Sequence, residues 1–415
     1  MRHAELISTG AELLSGRSLN RHAQTLARAL AGTDLALIRD TTLPDDAAAI
    51  AGALREALTR ADVVFISGGL GPTGDDVTRQ AVAAVAQQPL VTDAAALAHI
   101  RALCQARGNA CTPDRESQAQ IVAGARALSN RVGAAPGEEL VLDNRRVFLL
   151  PGPPREFLTL LTDHIVPWVR ATRGAEPMPT QCLLMVSGRG ESDISECLAA
   201  DGLVAEGVEV AYCAAPGRVE LRFTGLVAAA VEATAARAVA QLGGAVYARE
   251  RLELAEVLGR ELAARGLTLA VAESCTGGGL GARLTAVPGS SAYFLGGVVA
   301  YANGLKERLL GVPPEVLAAQ GAVSAATAEA MARGVRDRCG ADLSLAVTGL
   351  AGPDGGTAEK PVGLVFFAVA DARSCHTASR QFSGDRETIQ ESAAQQALYL
   401  AWRRLQEYQE AKEST

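Results

Sequence analysis

The sequence predicts an α/β protein built of two α/β sandwich domains with a small α+β module between them. Short apolar runs alternate with helical patterns toward both ends of the chain, as in a mostly parallel sheet covered by helices. In each of these regions one apolar run opens straight into a glycine-rich turn at the start of a helix. Between them, residues 181–248 are too few for such a sheet and read strand, helix, strand, strand, helix, strand. The corresponding division is 1–170, 171–249 and 250–415.

In chain order, residues 4–9, 34–39 and 62–67 are strands, with helical patterns at 19–31 and 46–60 between them. Further helices are expected at 76–86, 93–107 and 153–170. Val141-Leu142 and Val147–Leu150 flank Asp143-Asn144-Arg145-Arg146, a hairpin signal. The stretch Ala171–Pro179 breaks the pattern and reads as a linker. Residues 250–265 are helical, and the last domain runs from 267 to about 408. Within it, 362–370 and 376–383 read as adjacent strands and 385–408 as the closing helix, before a polar tail expected to fray.

Composition limits the function. Apolar residues make up 48% and aromatics 4%, so the cores rest on Ala, Leu and Val. The 39 basic and 46 acidic residues give a net charge of −7, which offers nucleic acid no concentrated positive face. No apolar run is long enough for a membrane span. The eight cysteines form no CxxC pair and the N-terminus has no signal-peptide layout, so a reducing cytoplasm is expected. Only His376 of the five histidines lies in the last third, which narrows the chemistry open to that region.

The richest segment is Ala272-Glu273-Ser274-Cys275-Thr276-Gly277-Gly278-Gly279. A strand delivers a hydroxyl, a thiol and a glycine turn to a helix start, where bare N–H groups can hold an anion. Ser274 is the candidate nucleophile. It needs a base, and no histidine lies between 274 and 349. Lys306 can serve if its pKa is lowered, and Ser–Lys pairs are an established arrangement. Tyr301 could share or relay the proton, and Asn303 would cap the following helix. Each residue also has a plain alternative. Ser274 could be a helix cap, Lys306 a solvated charge, Tyr301 a packing residue and Cys275 a small buried apolar group.

These residues occur with Pro288-Gly289-Ser290-Ser291, Gly321-Ala322-Val323-Ser324, Thr348-Gly349 and Lys360-Pro361-Val362-Gly363. Together, over 252–405, they resemble the C-terminal domain of the CinA family, the nicotinamide mononucleotide deamidases. The resemblance implies hydrolysis of a carboxamide through an acyl-enzyme on Ser274, with no cofactor. It implies catalytic roles for Ser274, Lys306 and Tyr301. Substrate would be bound by Thr276, Gly277, Gly278, Asn303, Thr348, Gly349 and Arg386. Backbone N–H groups of 276–278 could receive the oxyanion. The phosphate would suit Arg386 or a helix N-terminus. Gly279 departs from the larger residue often found in the family.

Near the other end, Val63–Ser67 leads into Gly68-Gly69-Leu70-Gly71-Pro72-Thr73-Gly74-Asp75-Asp76. Gly69, Gly71 and Gly74 fit GxGxxG, but two βα units precede them and two carboxylates sit where a pyrophosphate would bind, against a dinucleotide fold. Asp75 and Asp76 either cap a helix or hold a divalent metal that bridges to pyrophosphate. With Gly10–Gly16, Asn20, Asp40 and Pro151–Glu156, the loop resembles the molybdopterin-binding-like N-terminal domain of CinA, associated with ADP-ribose pyrophosphatase activity. The resemblance implies a divalent metal at Asp75, Asp76 and Asp40, and substrate contacts from Asn20, Gly69 and Gly71, with Glu12 weaker. Gly74 replaces a frequent His.

Gly188-Arg189-Gly190-Glu191-Ser192 resembles the KH-like middle region of the family. Acidic residues crowd its glycines, so a structural role is expected and not RNA binding. The chain therefore reads as a cytoplasmic bifunctional hydrolase acting on nicotinamide mononucleotide and ADP-ribose, as a homodimer without membrane or direct nucleic-acid contact. The alternatives are a deamidase whose N-terminal domain only binds a pterin or nucleotide, or a competence- or damage-linked interaction protein.

Overall fold

The computed structural model describes residues 1–172, 178–199 and 202–413, so the centre of the expected linker, 173–177, lies outside the described residues. The chain forms two compact units, Met1–Met178 and Pro179–Thr415.

In the first unit a six-stranded sheet has the order Leu35–Leu43, Arg2–Thr9, Val63–Ser67, Arg145–Leu150, Gly137–Leu142, Arg126–Leu128. The first four strands are parallel and the last two antiparallel. Its two faces are buried by separate clusters, one around Leu6, Phe65, Phe148 and Phe157, the other around Ile7, Val64, Ile66 and Leu149. Alternation along each strand sends neighbours to opposite faces, as period-two geometry requires. The expected hairpin turns at Asp143 and Asn144, whose φ values of 48° and 60° suit a two-residue turn. The helix expected at 153–170 is continuous but holds one π-helical turn, Leu161–Ile165. Short paired strands Leu90–Thr92 and Gln120–Val122 were not anticipated.

The second unit begins with an antiparallel sheet ordered Val208–Ala215, Arg218–Gly225, Thr180–Ser187, Val246–Ala248, backed by helices Glu191–Ala199 and Ala228–Leu242. This is the expected sequence of elements. It continues into a five-stranded sheet ordered Phe294–Val299, Leu269–Glu273, Leu343–Gly349, Leu364–Ala370, Cys375–Gln381. The first three strands are parallel and the last two antiparallel. Helices Leu254–Arg265, Gly279–Thr285 and Arg386–Glu413 cover one face, and Asn303–Leu310 and Ala325–Cys339 the other. The closing helix runs to Glu413, past the point where fraying was expected. Among the described residues no helix is long and apolar enough to cross a membrane.

Candidate active site

Leu269–Glu273 lies between two parallel neighbours, so its C-terminal end opens at the crest of the sheet, where α/β ligands bind. Ser274 follows directly, and its N–H donates to Val347 O at 3.0 Å, fixing the backbone at the sheet end. The neighbouring strand Phe294–Val299 leads into helix Asn303–Leu310, which returns Lys306 to the same point. Lys306 Nζ stands 3.1 Å from Ser274 Oγ, 2.7 Å from Ala300 O and 2.9 Å from Tyr301 O.

Lys306 is 1% exposed, and burial lowers its pKa because the charged form loses hydration. A neutral amine has two N–H donors and one lone pair. In that form the two carbonyls would take the donors and leave the lone pair for Ser274 Oγ, the arrangement of a base beside its nucleophile. Cys275 is a weak competitor. Its buried thiol is pushed up to about 12 by desolvation and stays protonated at neutral pH.

The glycine turn differs from expectation. Glu273, 1% exposed, turns its carboxylate into the start of helix Gly279–Thr285. It accepts the N–H groups of Gly278 at 3.0 Å, Leu280 at 3.0 Å and Gly281 at 2.8 Å. The Gly277 N–H donates to Ser274 O at 3.1 Å. Gly277 and Gly278 therefore shape the turn but have no amide left for an oxyanion, a correction to the expected 276–278 set. The amides of Cys275 and Thr276 take part in neither arrangement and lie beside Ser274. Thr276 Oγ1 is buried without a partner among the described residues. The helix start is likewise filled by the Glu273 carboxylate. A Cβ at Gly279 would meet nothing within 4 Å.

Tyr301 is 61% exposed, and its hydroxyl accepts from Arg386 Nη2 at 3.1 Å. Its carbonyl, and not its phenol, meets Lys306. Arg386 Nη1 donates to Gly352 O at 2.6 Å, and Gln390, one turn on, donates to Cys275 O at 2.7 Å. The closing helix thus holds both the mouth and the nucleophile turn. Thr348 is buried and its hydroxyl donates to Ala322 O at 2.7 Å, tying a strand to the Gly321–Ser324 turn. Gly349 is paired in the sheet against Val365, whose side chain a Cβ there would overlap. Asn303 is not the cap: Ala302 holds that position and Asn303 is the first helical residue, exposed near Tyr301.

The first unit carries a cleft of about 930 Å³ at the ends of its parallel strands. Asn20, Gly69, Gly71, Asp75, Asp76 and Glu12 all line it. Gly69 has φ 66°, and a Cβ there would stand 2.2 Å from Thr78 Oγ1, so only glycine serves. Asn20 Oδ1 accepts from the His22 N–H at 3.0 Å, starting helix His22–Leu30. A buried pair supports the loop: Arg79 Nε donates to Glu138 Oε1 at 2.8 Å and Nη1 to Leu70 O at 2.9 Å.

The expected metal set is not gathered as one. Asp40 sits exposed on Leu35–Leu43, an edge strand, and does not line the cleft. Asp76 Oδ2 already accepts the Thr73 N–H at 2.8 Å and hydroxyl at 2.6 Å. Among the described residues no three His, Cys, Asp or Glu side chains are grouped to hold a metal. Asp75 and Asp76 fit only an ion whose shell is completed by substrate phosphate and water, as magnesium accepts.

Sequence reading missed three residues. Glu273 was visible as a carboxylate closing a buried apolar strand, and Gln390 carried no signal. His22 lines the cleft, stacks on Phe157 at 4.2 Å and has Nδ1 2.7 Å from Ser67 Oγ. It looked like one more polar helix residue.

Residues 251–405 match the family described as "CinA C-terminal domain", and residues 5–171 the one described as "Probable molybdopterin binding domain". The chain is similar to a CinA-like protein of Geobacter metallireducens, 41% identical over 96% of this chain and 98% of that one. It is also similar to a CinA-like protein of Parasynechococcus marenigrum, 42% identical over 97% and 98%. Among solved structures, a CinA superfamily protein from Klebsiella pneumoniae is 37% identical, covering 37% of this chain and 96% of that one with a TM-score of 0.36.

Proposed function

Because this chain belongs to the CinA family, we propose that its second unit is a serine amidohydrolase that converts nicotinamide mononucleotide and water to nicotinic acid mononucleotide and ammonia. The contact of Lys306 Nζ with Ser274 Oγ at 3.1 Å, with two carbonyls occupying the remaining donors of the amine, carries this reading. In it, Ser274 Oγ attacks the carboxamide carbon while Lys306 takes the hydroxyl proton. The oxyanion meets the amides of Cys275 and Thr276. Lys306 returns the proton to the leaving nitrogen, and ammonia departs as the acyl-enzyme forms. Water, deprotonated by the same amine, then frees the acid and restores Ser274. Arg386, exposed and held by Gly352 and Tyr301, is suited to the substrate phosphate.

For the first unit we propose hydrolysis of the pyrophosphate bond of ADP-ribose in the glycine-loop cleft. A divalent ion at Asp75 and Asp76 would supply charge neutralisation of the pyrophosphate. A binding-only role for a pterin or nucleotide is the second reading, favoured by the Asp76 oxygen already bonded to Thr73.

Purified protein should be assayed on both substrates with and without chelator. Ammonia release from nicotinamide mononucleotide supports the amidohydrolase, and its absence refutes it. Binding of ADP-ribose without turnover selects the second reading for the first unit.

A further inference from the structure

Resting on the Ser–Lys reading above, we propose that Glu273 is a positioning residue for amide hydrolysis. Its carboxylate gathers the amides of Gly278, Leu280 and Gly281, holding the turn in which Ser274 Oγ faces Lys306.

The observations bear on one another. A carboxylate that is 1% exposed at the end of the run Leu269-Ala270-Val271-Ala272 needs strong compensation, and three N–H donors at a helix start provide it. The bonds run from Glu273 to positions five, seven and eight residues onward, so residues 274–277 are bracketed between fixed points. Inside that bracket the Gly277 N–H closes a second turn onto Ser274 O. Glu273 also reaches the base through its backbone. Its carbonyl accepts the Ala300 N–H at 2.8 Å, and Ala300 O in turn holds Lys306 Nζ at 2.7 Å. The two partners of the reaction are thus referenced to the same residue. Gly281 allows the close approach, since a Cβ there would stand 3.3 Å from Glu273 Oε1.

Two variants of the full chain test this. Glu273→Gln keeps the size but sets an NH2 group against an N–H. It should lower kcat about 100-fold, the scale of a nucleophile misplaced by about 1 Å, with KM within about threefold. Labelling of Ser274 by a fluorophosphonate, mapped by mass spectrometry, should slow in parallel. Glu273→Ala should regain at least about tenfold in rate when formate is supplied as a carboxylate in place of the missing one. Circular dichroism of both variants should match the wild type. A Glu273→Gln protein with unchanged kcat and labelling, a Glu273→Ala protein that formate does not help, or activity lost only through unfolding would each overturn the proposal. If the wild type labels at Ser274 but releases no ammonia from nicotinamide mononucleotide, the substrate reading fails and the labelling ratio still decides Glu273.

Discussion

Replacing Lys306 by arginine keeps a cation on the helix but removes a proton acceptor, because a guanidinium does not deprotonate at working pH. If Lys306 is the base, Lys306→Arg should lower kcat by about 10²–10⁴, the usual contribution of a positioned acid–base group. Lys306→Ala should lose at least as much. It should also destabilise, since it leaves Ala300 O without its buried donor, at a cost of about 1–3 kcal/mol. The pH profile adds a second reading. Burial holds the folded pKa below the ordinary 10.5, so kcat/KM should rise with pH through that lowered value as the amine frees its lone pair. The rising limb should be missing from Lys306→Arg. Stability follows the same sign. Between the lowered pKa and 10.5 the unfolded chain binds the proton and the native one does not, so this residue's contribution grows as pH rises across that window and is lost as pH falls through it. Ammonia release coupled to a dehydrogenase, measured from pH 6 to 10, and urea unfolding over the same range provide the data. An active Lys306→Arg with an unchanged rising limb would refute the assignment and reduce the lysine to a substrate contact.

Ser274→Ala should abolish ammonia release while the protein stays folded, and Cys275→Ser should keep most of it, because the buried thiol is held protonated near 12; reversed outcomes would make Cys275 the nucleophile. Chelation, and separately Asp76→Asn, should stop ADP-ribose hydrolysis and spare deamidation. Loss of both activities in folded protein would contradict separate sites. Glu138→Ala should leave Arg79 buried without its carboxylate and destabilise the first unit by about 3–5 kcal/mol, read by hydrogen exchange of its peptides while those of the second unit keep their protection.

What sequence made legible follows the range of the interactions involved. Strand and helix order in both α/β regions and in the middle sheet came through because periodicity and turn residues are local signals. Ser274 and Lys306 were paired by the lack of histidine, and the fold brings them together across 32 residues. Glu273 went unread because its role exists only once three amides converge on it. Residue type alone makes Asn303 a cap, yet the helix starts one position earlier than a cap there requires. The motif groups Asp40 with Asp75 and Asp76, but its edge-strand position leaves it out of the cleft they line. The two short strands near residues 91 and 121 are three residues each, too brief for any period to register.

Covalent catalysis by Ser274 leaves a chemical trace that can be weighed. Enzyme mixed with nicotinamide mononucleotide should be quenched in acid within a turnover and its peptides weighed. The peptide containing Ser274 should gain the mass of nicotinamide mononucleotide less ammonia, and Ser274→Ala should show no such gain. Ammonia release with no adduct at any time point, or an adduct on Cys275, would contradict it.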